Sequence, residues 1–182
     1  QADHKGSRQL QRLKDATTLY PFSSIPFDVT KSSIALFLAE VLYRSLRDTE
    51  RNPVLFEFLT HSIQWLDLAE RGLANFHLVF LIKLTRYLGC YPNLEGQREG
   101  WFFDLQGGVF VPHCPPHNAW LTPTDAQAFA RLMQITYDNM WAYGFEHSQR
   151  VHILRQMLDY YRLHLTDFPG IKSIDVLEDL FR

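Results

Sequence analysis

NFHLVFLIKLTRYLG, residues 75 to 89, is the stretch from which the fold is read. Wound as a helix, it is apolar on most of its faces, and a helix of that kind belongs inside a domain. Asn75 is placed to cap it and Gly89 to close it. A buried central helix needs other helices around it, and the flanking sequence supplies them.

Upstream, NPVLFEFLTHSIQWLDLAERG (52–72) has Asn52 as cap, Pro53 at the first helical position and Gly72 as a stop. Before it, Asp28 or Thr30 caps a helix running to about Arg47. There Ile34, Phe37, Leu38, Val41, Leu42 and Leu46 form one stripe at i, i+3, i+4 spacing. Downstream, Thr122, Pro123 and Asp125 give a cap, a first-position proline and an acidic third residue, opening a helix to about Trp141. Ser148 opens another and Ser173 a short last one. Between them, WFFDLQGGVFV (101–111) reads as a hairpin turning at Gly107 and Gly108. The expected fold is mainly α: a helical domain with a small β-hairpin insert at about 93–120. Residues 1–27 form a basic, extended linker, interrupted by Pro21 and Pro26, with Tyr20, Phe22 and Phe27 expected to be buried.

The chain has 182 residues, 46% hydrophobic and 21% charged, with a formal net charge of −2. That is an ordinary globular composition, and it argues against a surface that is cationic throughout. No apolar run is long enough to cross a bilayer. Cys90 and Cys114 are too few for a disulfide framework, which suggests a cytoplasmic protein with reduced thiols. The chain begins at Gln1 without an initiator Met or a signal peptide and reads as part of a longer one.

No phosphate-binding loop, dinucleotide fingerprint, nucleophile elbow or zinc-protease motif is present. Asp67, Glu70 and Arg71 read as a solvated helix face with surface ion pairs, and His77 as a buried core histidine. His113, Cys114 and His117 are a three-member candidate metal set, short of the four ligands of a structural zinc and stiffened by Pro115 and Pro116. A hydrolase or metalloenzyme centred on them is the alternative to a non-enzymatic binding module. Candidate contact residues for such a module are Arg8, Arg12, Lys14, Arg44, Lys83 and Arg86; Lys83 and Arg86 sit beside Leu84 and Tyr87. Cations next to rings suit nucleic acid, and equally an acidic peptide with an apolar anchor.

The segments LQRLKDATTLYPFSSIPFD, KSSIALFLAEVLYRSLR, NFHLVFLIKLTRYLGCYPNL and YYRLHLTDFPGIKSIDVLEDLF, in that order, resemble the C-terminal region of the RecO family of bacterial DNA repair proteins, in its Bacteroidetes-like branch. The resemblance runs from about Leu10 to Phe181. It implies a recombination mediator, not an enzyme and without a cofactor. Such a mediator binds single- and double-stranded DNA and works with RecR and with the tail of single-stranded-DNA-binding protein, at the nucleoid. It also implies an OB-fold preceding the basic linker, and a helical domain (28–182) carrying a zinc-ribbon-like insert. A purely structural docking domain is the other reading. The family's two C-x-x-C pairs are degenerate here. EGQREGW has no cysteine, Val111 stands in one slot, and only Cys114 keeps its place. The insert is therefore expected to lack metal and to be held by Trp101, Phe102, Phe103, Val109, Phe110 and Val111.

Overall fold

A computed structural model describes residues 2–3, 12–13, 15, 17–46 and 51–180. The order is β1 (Ala2–Asp3), β2 (Arg12–Leu13), α1 (Val29–Ser45), α2 (Pro53–Leu68), α3 (Leu73–Tyr87), β3 (Phe102–Asp104), β4 (Val109–Val111), β5 (Trp120–Leu121), α4 (Pro123–Gln134), a 3-10 turn at Met140–Ala142, α5 (His147–His164) and α6 (Ile174–Leu180). The fold is mainly α with a small antiparallel insert. α3 is the hub: every residue from Asn75 to Ile82 is buried, and Leu84 and Thr85 with them.

α3 starts earlier than its sequence suggests. Gly72 is its cap residue, at φ +81°, a backbone conformation glycine adopts without steric cost. It therefore opens α3 instead of closing α2, which ends at Leu68. Asn75 lies one turn inside and donates its amide to the carbonyls of Met140 (3.0 Å) and Tyr143 (2.7 Å). α4 stops at Gln134, short of the expected Trp141, because Ile135 turns extended and the Asn139 side chain accepts the Thr136 N–H. α5 is opened one residue before Ser148, by a reciprocal Glu146–Gln149 capping box. α6 follows Ser173 as expected.

Asp67 is not on a solvated face. It is 1% exposed, and its carboxylate accepts the backbone N–H groups of Ser23, Ser24 and Ile25 at 2.8–2.9 Å and the Ser23 hydroxyl at 2.9 Å. Buried Lys31 donates to the Asp67 carbonyl and the Ser24 hydroxyl, both at 2.7 Å. The arm is thus fastened through its backbone. Its aromatics are not buried as expected: Tyr20 is half-buried, Phe22 and Phe27 are exposed, and Ile25 is the residue that enters the core.

At the other end, Glu40 of α1 accepts the N–H groups of Lys172 and Ser173 and the Ser173 hydroxyl, joining α1 to the start of α6. In the insert, β3 pairs with β4 in the register Phe102↔Val111, Phe103↔Phe110 and Asp104↔Val109. β5 pairs along its other edge, a strand too short to have a sequence signal. Phe103 is fully buried against Phe110, Phe129 and Tyr160. The Tyr160 hydroxyl donates to the Cys90 carbonyl at 2.8 Å, and His164 Nε2 lies 2.7 Å from the Leu105 carbonyl.

Candidate partner and nucleic-acid interface

Lys83 and Arg86 leave α3 near its C-terminal end, one turn apart, on the side where α2 and the 135–141 turn approach. They line a chamber of about 320 Å³ with Phe58, His61, Tyr87, Thr136, Tyr137 and Asp138. Rings form its walls. Phe58 stacks on Tyr87 at 4.6 Å, and the Lys83 ammonium lies 5.8 Å from the centre of the Tyr137 ring. The Arg86 guanidinium lies 4.3 Å over Tyr91 and donates to its hydroxyl at 2.9 Å. Burial pushes the Lys83 pKa down, Arg86 adds to that, and Asp138 opposes it. Leu84, a neighbour in sequence, is fully buried and lines no part of the chamber.

The chamber adjoins a larger one of about 660 Å³; His61, Tyr137 and Asp138 line both. Here the walls are Trp65, stacked on Phe76 and Tyr137, and half-exposed Trp141 with the Arg71 guanidinium 4.4 Å above its ring. Tyr137 is buried, and its hydroxyl donates to Ser62 Oγ at 2.8 Å, which fixes the wall; burial raises its pKa. Arg71, Trp65, Trp141 and Asp138 were not among the sequence candidates. They converge because a turn more than 60 residues away folds back on α2, and a single sequence carries no signal for that.

The other candidates lie elsewhere. Arg44 is on α1 and binds Glu40 at 2.8 Å; with Arg51 it lines a separate cleft of about 470 Å³. Arg12 belongs to β2, of whose side chains nothing is described, and Arg8 and Lys14 lie outside the described residues. On the late helix, Arg155 binds Glu178 through two contacts of 2.8 Å, Arg162 binds Asp159, and Arg150 donates to the Phe145 carbonyl.

His113, Cys114 and His117 do not form a site. His113 and Cys114 are exposed, while His117 turns back, its Nδ1 accepting the Ala119 N–H and its Nε2 3.4 Å from Asp104. Among the described residues no group of three His, Cys, Asp or Glu side chains is arranged to hold a metal ion. His77 is buried, edge-on to Phe37; burial and nearby Arg150 depress its pKa to about 3, so it is neutral. No helix among the described residues is long and apolar enough to cross a membrane.

Residues 26–173 match the family described as Recombination protein O C terminal. DNA repair protein RecO of Phocaeicola vulgatus is 49% identical over 181 residues, covering all of this chain and 75% of that protein. DNA repair protein RecO of Bacteroides fragilis is 45% identical over 182 residues, with the same coverage. The RecO protein of Flavobacterium psychrophilum is 35% identical over 181 residues and 74% of its length. No solved structure matches the chain significantly. A family match over most of the helical core, with relatives at this identity along the whole chain, makes this chain a member of the RecO family of DNA repair proteins.

Proposed function

We propose that the chain acts as a recombination-mediator module in recombinational DNA repair. It works by binding and not by catalysis: it holds single- and double-stranded DNA, RecR and the acidic tail of single-stranded-DNA-binding protein, in the cytoplasm at the nucleoid. Family membership supports the setting. The single observation that carries the partner reading is the chamber where Lys83 and Arg86 stand beside the rings of Phe58, Tyr87 and Tyr137. Such a site offers cations to carboxylates and an apolar recess to a terminal side chain. Arg8, Arg12, Lys14 and Arg44 are proposed as phosphate contacts.

The test is fluorescence anisotropy with a labelled tail peptide. Lys83→Glu and Arg86→Glu are each expected to weaken binding by about tenfold or more, the loss of one charge-assisted contact. Tight binding unaffected by either substitution removes the assignment. For DNA, affinity should fall steeply with salt, and more gently once Arg8, Arg12 and Lys14 are replaced by Ala. A second reading, a docking scaffold that does not touch DNA, draws on the internal pairing of Arg44, Arg155 and Arg162. It is favoured if the chain ignores DNA at low salt.

A further inference from the structure

The two chambers adjoin, and His61, Tyr137 and Asp138, which line both, mark a waist between them. A ligand filling both is therefore extended and passes the waist. Asp138 is exposed there, and its backbone is held in place. Its carbonyl accepts the Trp141 indole N–H at 2.9 Å, and the Asn139 side chain ties the start of the same turn to Thr136. On one side of the waist stand the two cations. On the other, the Arg71 guanidinium covers the Trp141 ring and Glu70 contributes a second carboxylate to the lining. The charge along the cleft thus changes sign: positive at Lys83 and Arg86, negative at Asp138.

A carboxylate at one point in a cleft repels an acidic ligand residue there and attracts a basic one, and unfavourable contacts of this kind are a main source of specificity. We propose that Asp138 is a specificity-determining residue: it selects a neutral or basic residue at the waist from an extended peptide whose acidic end lies between Lys83 and Arg86. This rests on the reading of the smaller chamber as a site for an acidic, apolar-ended peptide. Asp138 has a second effect on the same site. Its charge favours the ammonium form of Lys83 against the opposing effect of burial and of Arg86. Removing it therefore alters selectivity at the waist without freeing the chamber of its own electrostatic cost.

The experiment is a charge-swap cycle. Fluorescent peptides share an acidic terminus ending in Phe and carry upstream a neutral spacer with either Lys or Glu at successive positions. Each is titrated by anisotropy against the wild-type chain, Asp138→Asn and Asp138→Lys. Glu99→Gln, an exposed charge change outside the cleft, controls for net charge. At one spacer position the Lys peptide should bind the wild type about fivefold more tightly than the Glu peptide. That preference should vanish in Asp138→Asn, reverse in Asp138→Lys and persist in Glu99→Gln. A Lys-over-Glu preference that is absent, or the same in all four proteins, overturns the role of Asp138 and leaves the chamber reading standing. If no peptide binds the wild type, or if Lys83→Glu leaves binding unchanged, the chamber reading fails and this inference with it.

Discussion

Asp67 shows how much one side chain can organise. Burial alone would raise its pKa, but three backbone N–H groups and a hydroxyl outweigh that and hold it far below the usual carboxylate range. Asp67→Ala leaves those donors without their acceptor. It should cost about 3 kcal/mol, read as a lower urea midpoint, with new proteolytic cleavage near residue 20. Asp67→Asn should recover part of the loss at most, since its amide group cannot accept from every donor. From sequence, Asp67 was indistinguishable from a solvated carboxylate beside Glu70 and Arg71. Helical spacing states which face a residue is on, but not that a strap of chain 42 residues earlier crosses that face. His77 was legible for the opposite reason, because it is embedded in a run that is apolar all round.

At the scale of elements, the hairpin illustrates what a turn glycine is for. Gly108 has φ +65°, and a Cβ there would sit 2.8 Å from the Tyr160 hydroxyl. Gly108→Ala should destabilise by about 2 kcal/mol through left-handed strain and that contact together. In a Tyr160→Phe background, which removes the obstructing oxygen, the same change should cost less. Thermal unfolding of the four proteins of this cycle reads the difference. The hairpin was legible from its turn glycines and flanking apolar runs, but all six apolar residues were expected to hold it, whereas Phe103 and Phe110 are buried and Trp101, Phe102, Val109 and Val111 only partly so. The true start of α3 was not legible, because Gly72 serves equally as the end of one helix or the start of the next until its φ is known. A matching contrast exists on α1: Phe37→Ala should cost about 3–5 kcal/mol, whereas Leu36→Ala, 70% exposed one residue away, should cost little.

For the molecule as a whole, acid should undo the fold in two stages. His77 is neutral in the fold, with a pKa near 3 against 6.5 when exposed, so its contribution is complete above about pH 6.5 and declines as pH falls below that. Burial raises the Glu40 pKa, but the donors at Lys172, Ser173 and Arg44 outweigh this and bring it to about 2. Its contribution is complete above about 4.5 and is lost between there and 2. A plot of Tm against pH should therefore bend first near 6.5 and more steeply below 4.5. Glu40→Gln should flatten the lower limb, and His77→Leu the upper one. The mainly α architecture and the insert were readable from periodicity, caps and turn glycines. The cleft was readable only as two cations on one helix, since its opposite wall depends on a long-range approach. Glu40 is separated from Lys172 by 132 residues, and this clasp has a temporal consequence. At a translation rate of about 5–20 residues per second, roughly 7–25 seconds pass between the synthesis of the acceptor and that of its donors. During that interval α1 exists without α6, so the clasp between them closes only after α6 has been made.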